Sequence, residues 1–95
     1  MSPKKRKELD QLRNQLDKLD NSFISLIKQR TEIVKKVLQL KDYKNQIVDK
    51  KRIKNILLQI KKKSLKKNID PKITNRIWKN MIYAYIDYEK RNFEK

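Results

Sequence analysis

LDQLRNQLDKLDNSFISLIKQRTEIVKKVLQL, residues 9–40, carries the pattern that decides the fold. Leu9, Leu12, Leu16, Leu19, Phe23, Leu26, Ile33, Val37 and Leu40 follow one another in alternating steps of three and four, with Arg30 filling the one remaining place in the series. Such steps return a side chain to the same face of an α-helix, so the stretch predicts one continuous amphipathic helix from about residue 4 to residue 41. At ~1.5 Å per residue this helix is on the order of 55 Å long, roughly twice the width of a globule of 95 residues. It has to lie against something longer than the remainder of its own chain. A two-fold dimer in which the long helices pack side by side meets that requirement.

On the C-terminal side, Asp42 to Val48 interrupts the pattern with polar residues. Asp49 can cap a second helix, expected at about 50–67, whose Ile53, Ile56, Leu57 and Ile60 repeat at helical spacing. Asn68-Ile69-Asp70-Pro71 marks the next boundary: Asp70 suits an N-cap, and Pro71 suits the first helical position, where its missing N–H is no loss. A third helix is expected at about 71–93, with an inward face of Ile73 or Thr74, Ile77, Trp78, Met81, Ile82, Tyr85 and then Glu89 or Tyr88. The chain has no Gly, no Cys and two Pro, a composition that disfavours tight β-turns. The expectation is one all-α domain over residues 1–95, three helices per chain, interlocked with a second copy.

Composition also narrows the chemistry. Without His or Cys the chain lacks the usual soft metal ligands, the usual general base and a thiol nucleophile, so no metal and no cofactor are expected. No apolar run reaches the ~20 residues of a membrane span, and the basic start, Met1 to Lys7, leads into an amphipathic segment instead of an apolar signal core; a cytoplasmic protein is expected. A formal charge of +16 first suggests a polyanion partner such as nucleic acid. Runs such as Lys61-Lys62-Lys63 and Lys66-Lys67, set among many Ile and Asn, also fit lysines that only solvate outer helix faces, and on that account no nucleic-acid partner is expected.

The informative polar residues are those at positions where apolar ones belong. A guanidinium buried in the seam at Arg30 requires a fixed negative partner, either a protein carboxylate or a bound one. Lys41 follows eleven residues later, almost in register on a continuing helix. Arg13 precedes Arg30 by seventeen residues, ~25 Å along the axis, too far for both to hold one small molecule within one chain. If Arg13 serves the same pocket, it comes from a partner. Arg52 borders the apolar face of the second helix, and Glu89 stands one turn after Tyr85 on the third. Four cations and one carboxylate at such positions suit a doubly charged small anion.

The order Leu12-Arg13, Leu16-Asp17-Lys18-Leu19-Asp20, Gln29-Arg30, Val37, Lys41, Asp49, Arg52 and Ile69-Asp70-Pro71 resembles that of the all-helical chorismate mutases, over about Glu8 to Lys90. The resemblance implies an intertwined homodimer and a cofactor-independent isomerase that converts chorismate to prephenate in phenylalanine and tyrosine biosynthesis. It implies that Arg30 and Arg13 of the partner subunit hold the two substrate carboxylates and that Lys41 donates to the ether oxygen. It further implies that Asp49 and Arg52 line the ring side and that Glu89 faces the ether oxygen. Three departures from the family pattern are Ile53 where a Glu often follows the helix-two arginine, Tyr85 where a small residue is common, and a Lys41 to Arg52 segment one residue short. All three lean toward the related isochorismate-pyruvate lyases of the same fold. Glu89 stands where many members carry Gln, and an ionised carboxylate beside an oxygen gaining negative charge would repel it. The expectation is that Glu89 works protonated.

Overall fold

The computed structural model describes residues 1–94, which form three helices and no strand: α1 (Pro3–Gln39), α2 (Lys50–Lys66) and α3 (Pro71–Asn92). Among the described residues no helix is long and apolar enough to cross a membrane. Packing divides the chain into two units, Met1–Val34 and a second that begins at Lys35.

The first unit is helix throughout its length after Ser2, whose hydroxyl and carbonyl accept from the Lys5 and Arg6 amides. Its apolar stripe is exposed: Leu12, Leu16, Leu19, Phe23, Leu26 and Ile33 each leave between 55% and 61% of their surface to solvent. Arg30, in the same stripe, is exposed as well. A lone helix has no source of stability in such a stripe, because helical stability in proteins comes chiefly from burying the apolar face.

The second unit contains the core. Leu38, Ile47 and Ile82 are buried, and α2 packs against α3. The inward face of α2 reads Ile53, Ile56, Leu57, Ile60 and Ser64, all partly or fully buried, as its apolar spacing predicts. On α3 the choice between neighbours is resolved by packing. Thr74 turns inward while Ile73 stays exposed, and Glu89 is buried while Tyr88 is partly covered; Ile77, expected on the inward face, is instead exposed. Thr74 is favoured there because Ser64 faces it: the two hydroxyls lie 2.6 Å apart, and Ser64 Oγ also donates to the Ile60 carbonyl. A polar pair closed in this way satisfies both buried hydroxyls, which an isoleucine opposite Ser64 would not.

The connection between α2 and α3 solves a problem set by a chain without glycine. Asn68 adopts φ 56°, the left-handed region, just past the C-cap Lys67. The Asn68 amide bonds to Leu65 O and the Ile69 amide to Ser64 O, the paired reverse bonds that close a helix C-terminus. Asn is the residue that tolerates this conformation best after Gly. Asp70 then accepts from the Lys72 amide and Pro71 opens α3, as expected at that boundary.

The end of the first helix also needs correction. The first helix ends at Gln39, not near residue 41, so Lys41 does not continue its surface and the in-register argument from Arg30 does not place it. The Leu40 and Lys41 amides bond to Val37 O and Leu38 O, a tightening that ends the helix. The polar stretch 42–48, read from the sequence only as a break, contains a single 3-10 turn at Lys44–Gln46.

Candidate active site

Lys41 lies two residues beyond α1, and its side chain crosses to α3. Its ammonium donates to Glu89 Oε1 at 2.8 Å, an ion pair between residues 48 apart in sequence. The side chains of Lys41 and Glu89 are 19% and 9% exposed, so little water separates or screens them. Glu89 is the one carboxylate buried among the described residues, and burial there is tolerated because the ammonium pairs with it. An ammonium has three N–H donors. With one directed at Glu89, two remain to meet a ligand oxygen.

Beside this pair, Lys41, Gln46, Val48, Asp49 and Lys50 line an open hollow of about 700 Å³. Asp49 stands at its edge as the N-cap of α2, where its Oδ1 accepts the Arg52 amide at 2.9 Å. That bond leaves the second carboxylate oxygen of Asp49 without a capping role. Arg52, in the first turn of α2, is exposed. Tyr85 is partly buried one turn before Glu89 on the same face of α3.

The structure thus gathers Lys41, Glu89 and Asp49 in the second unit. Arg13 and Arg30 belong to the first, seventeen residues apart on one uninterrupted helix and therefore ~25 Å apart along its axis. Both are exposed on the single chain.

Gln46 was not among the residues picked from the sequence. Its Oε1 accepts two backbone amides, those of Asp42 at 2.8 Å and Tyr43 at 2.9 Å, the two residues that follow Lys41. The available signal was the position of a Gln three residues after the N-cap Tyr43 of a short helical turn, where its side chain can reach back to the preceding amides. That signal is easily passed over when the turn is only three residues long.

The sequence profile of the family described as chorismate mutase type II matches residues 12–90, which include Arg13, Arg30, Lys41, Asp49, Arg52, Tyr85 and Glu89. No curated protein and no solved structure matches the chain. A match over most of the chain, on an all-helical fold of one long helix and two shorter ones, establishes that this protein belongs to the chorismate mutase type II family.

Proposed function

We propose that the protein converts chorismate to prephenate, as a homodimer whose two sites each combine residues of both subunits. The observation that carries the reading is the largely buried Lys41 side chain, paired with Glu89, in a residue that lines a hollow together with Asp49. The family gives a chorismate mutase-type activity. The specific reaction, the dimer and the residue roles are our reading.

Dimerisation follows from the exposed stripe of α1. Six large apolar side chains more than half exposed on one helix form a surface that monomers rarely leave to water. A second copy presents the same stripe, and an antiparallel or parallel pairing about a two-fold axis covers both at once. Arg30 then lies at the seam, where its guanidinium can meet one substrate carboxylate in a charge-assisted bond, and Arg13 of the partner subunit holds the other.

The reaction breaks a C–O bond while a C–C bond forms, within one molecule and without an external nucleophile. What the protein must do is hold the compact conformer and stabilise the negative charge that grows on the departing ether oxygen. The two free N–H groups of Lys41 are suited to that oxygen, and being already oriented they lose little freedom on binding. Asp49 and Arg52 lie toward the ring.

Glu89 is the ion-pair partner of Lys41 and restrains its ammonium, so that the remaining N–H groups are presented to the ether oxygen.

The test is consumption of chorismate followed by ultraviolet absorbance, with Arg30→Ala as the control. Loss of transition-state contacts from a charged group of this kind is expected to lower kcat/KM by on the order of a hundredfold or more. An inactive wild-type chain, or an unimpaired variant, would overturn the proposal. The second reading, isochorismate-pyruvate lyase, is favoured by Tyr85, a partly buried residue one turn before Glu89 at a position where the resemblance to the mutases leads to a small side chain. It is separated by product, since isochorismate would yield salicylate and pyruvate.

A further inference from the structure

We propose that Gln46 is a positioning residue for Lys41, fixing the backbone from which the ammonium is presented. The inference rests on the reading of Lys41 as the donor to the substrate oxygen.

Lys41 occupies a vulnerable place for a group that must be held still. It lies outside α1, so no helical ladder fixes the peptide that follows it. A lysine side chain has four rotatable bonds, and an ion pair at its tip restrains only the far end. The near end is restrained by Gln46. Two backbone N–H groups, from Asp42 and Tyr43, converge on the same Gln46 side-chain atom, and convergence of two donors identifies that atom as the amide oxygen. Gln46 is in turn held by its own amide, which donates to Tyr43 O at 3.0 Å, and by its neighbour Ile47, which is 4% exposed and anchors the turn in the core. The segment after Lys41 is therefore a closed loop tied to the interior through Ile47. Gln46 also lines the same hollow as Lys41 and Asp49, so the restraint acts at the site itself.

The two bonds from Gln46 lie at the surface, and this decides what their loss would do. Water can take over the amides of Asp42 and Tyr43 once the acceptor is gone, so the fold should lose little. Water cannot hold the peptide in one orientation. The consequence is displacement of the ammonium, which acts on the transition state more than on substrate binding.

The experiment compares Gln46→Met, which keeps length but removes the acceptor, with Gln46→Glu, which keeps an acceptor oxygen. Gln46→Met is expected to lower kcat about tenfold with KM within about twofold, with the urea midpoint lowered by no more than the Lys41–Glu89 coupling it loses, and Gln46→Glu to restore most of the rate. In a Lys41→Met background Gln46→Met should have no further effect. An unchanged kcat in Gln46→Met, an equal loss in Gln46→Glu, or a full loss in the Lys41→Met background overturns the proposal. A readout without substrate keeps it separate from the proposed activity: the coupling of Lys41 to Glu89, measured by a double-mutant cycle on stability, should weaken in Gln46→Met. If the wild-type chain turns over neither chorismate nor isochorismate, the proposed function fails. An unweakened coupling then overturns the role of Gln46 as well, and a weakened one upholds it.

Discussion

Two inactive variants should make an active mixture. In the proposed shared site, Arg13→Ala and Arg30→Ala each remove one carboxylate-binding group, and each homodimer then lacks that group in both of its sites. Because the two arginines stand ~25 Å apart along α1, no site can draw both from one chain. In a heterodimer of the two variants, one site combines the intact Arg30 of the first chain with the intact Arg13 of the second, and the other site lacks both. Random reassociation of an equal mixture gives about one half heterodimers, each with one working site of two, so activity should recover to about one quarter of wild type. The variants are mixed in denaturant, refolded together, and assayed by chorismate consumption; each refolded alone sets the baseline. Recovery no greater than the baseline refutes the shared site, and recovery well above one quarter refutes the arithmetic of two independent sites per dimer.

Other outcomes follow from the same structure. A double-mutant cycle between Lys41→Met and Glu89→Gln should give a coupling of about 2 kcal/mol in urea unfolding at fixed protein concentration, between the values for exposed and fully buried pairs; a coupling near zero would mean that the ion pair does not hold the site. Asn68→Ala should lower stability by about 1 kcal/mol because alanine tolerates the left-handed φ less well, which a shift in urea midpoint would show. If the lysines of α2 only solvate its outer face, affinity for a labelled single-stranded oligonucleotide should be weak at physiological salt. A logarithmic salt slope of about −3.5, the value for five neutralised phosphates, would instead assign them a polyanion.

The residues that made the three helices legible are those whose meaning is local. The three-and-four spacing from Leu9 to Leu40, the capping carboxylates Asp49 and Asp70, and Pro71 at the head of α3 act within a turn or two of where they stand, so periodicity and capping suffice to locate the elements. The excess length of the first helix, also a property of the sequence, is what leads to the proposal that its exposed stripe pairs with a second copy. The candidate site was legible as a set of residues and not as an arrangement. Lys41 was picked out, but on the wrong support: helical register points it along α1, whereas the helix stops at Gln39.

Only the tertiary structure decided that Lys41 and Glu89, 48 residues apart, are a pair, that Thr74 instead of Ile73 faces α2, and that Gln46 ties down the peptide after Lys41. Each of these depends on which groups from distant segments arrive at the same point, and side-chain hydrogen bonds and ion pairs are short-ranged, so nothing in a one-dimensional pattern specifies them. The sequence determined which faces are apolar and where the chain turns; packing of α2 on α3 and the end of α1 determined which polar atoms meet once those faces are buried.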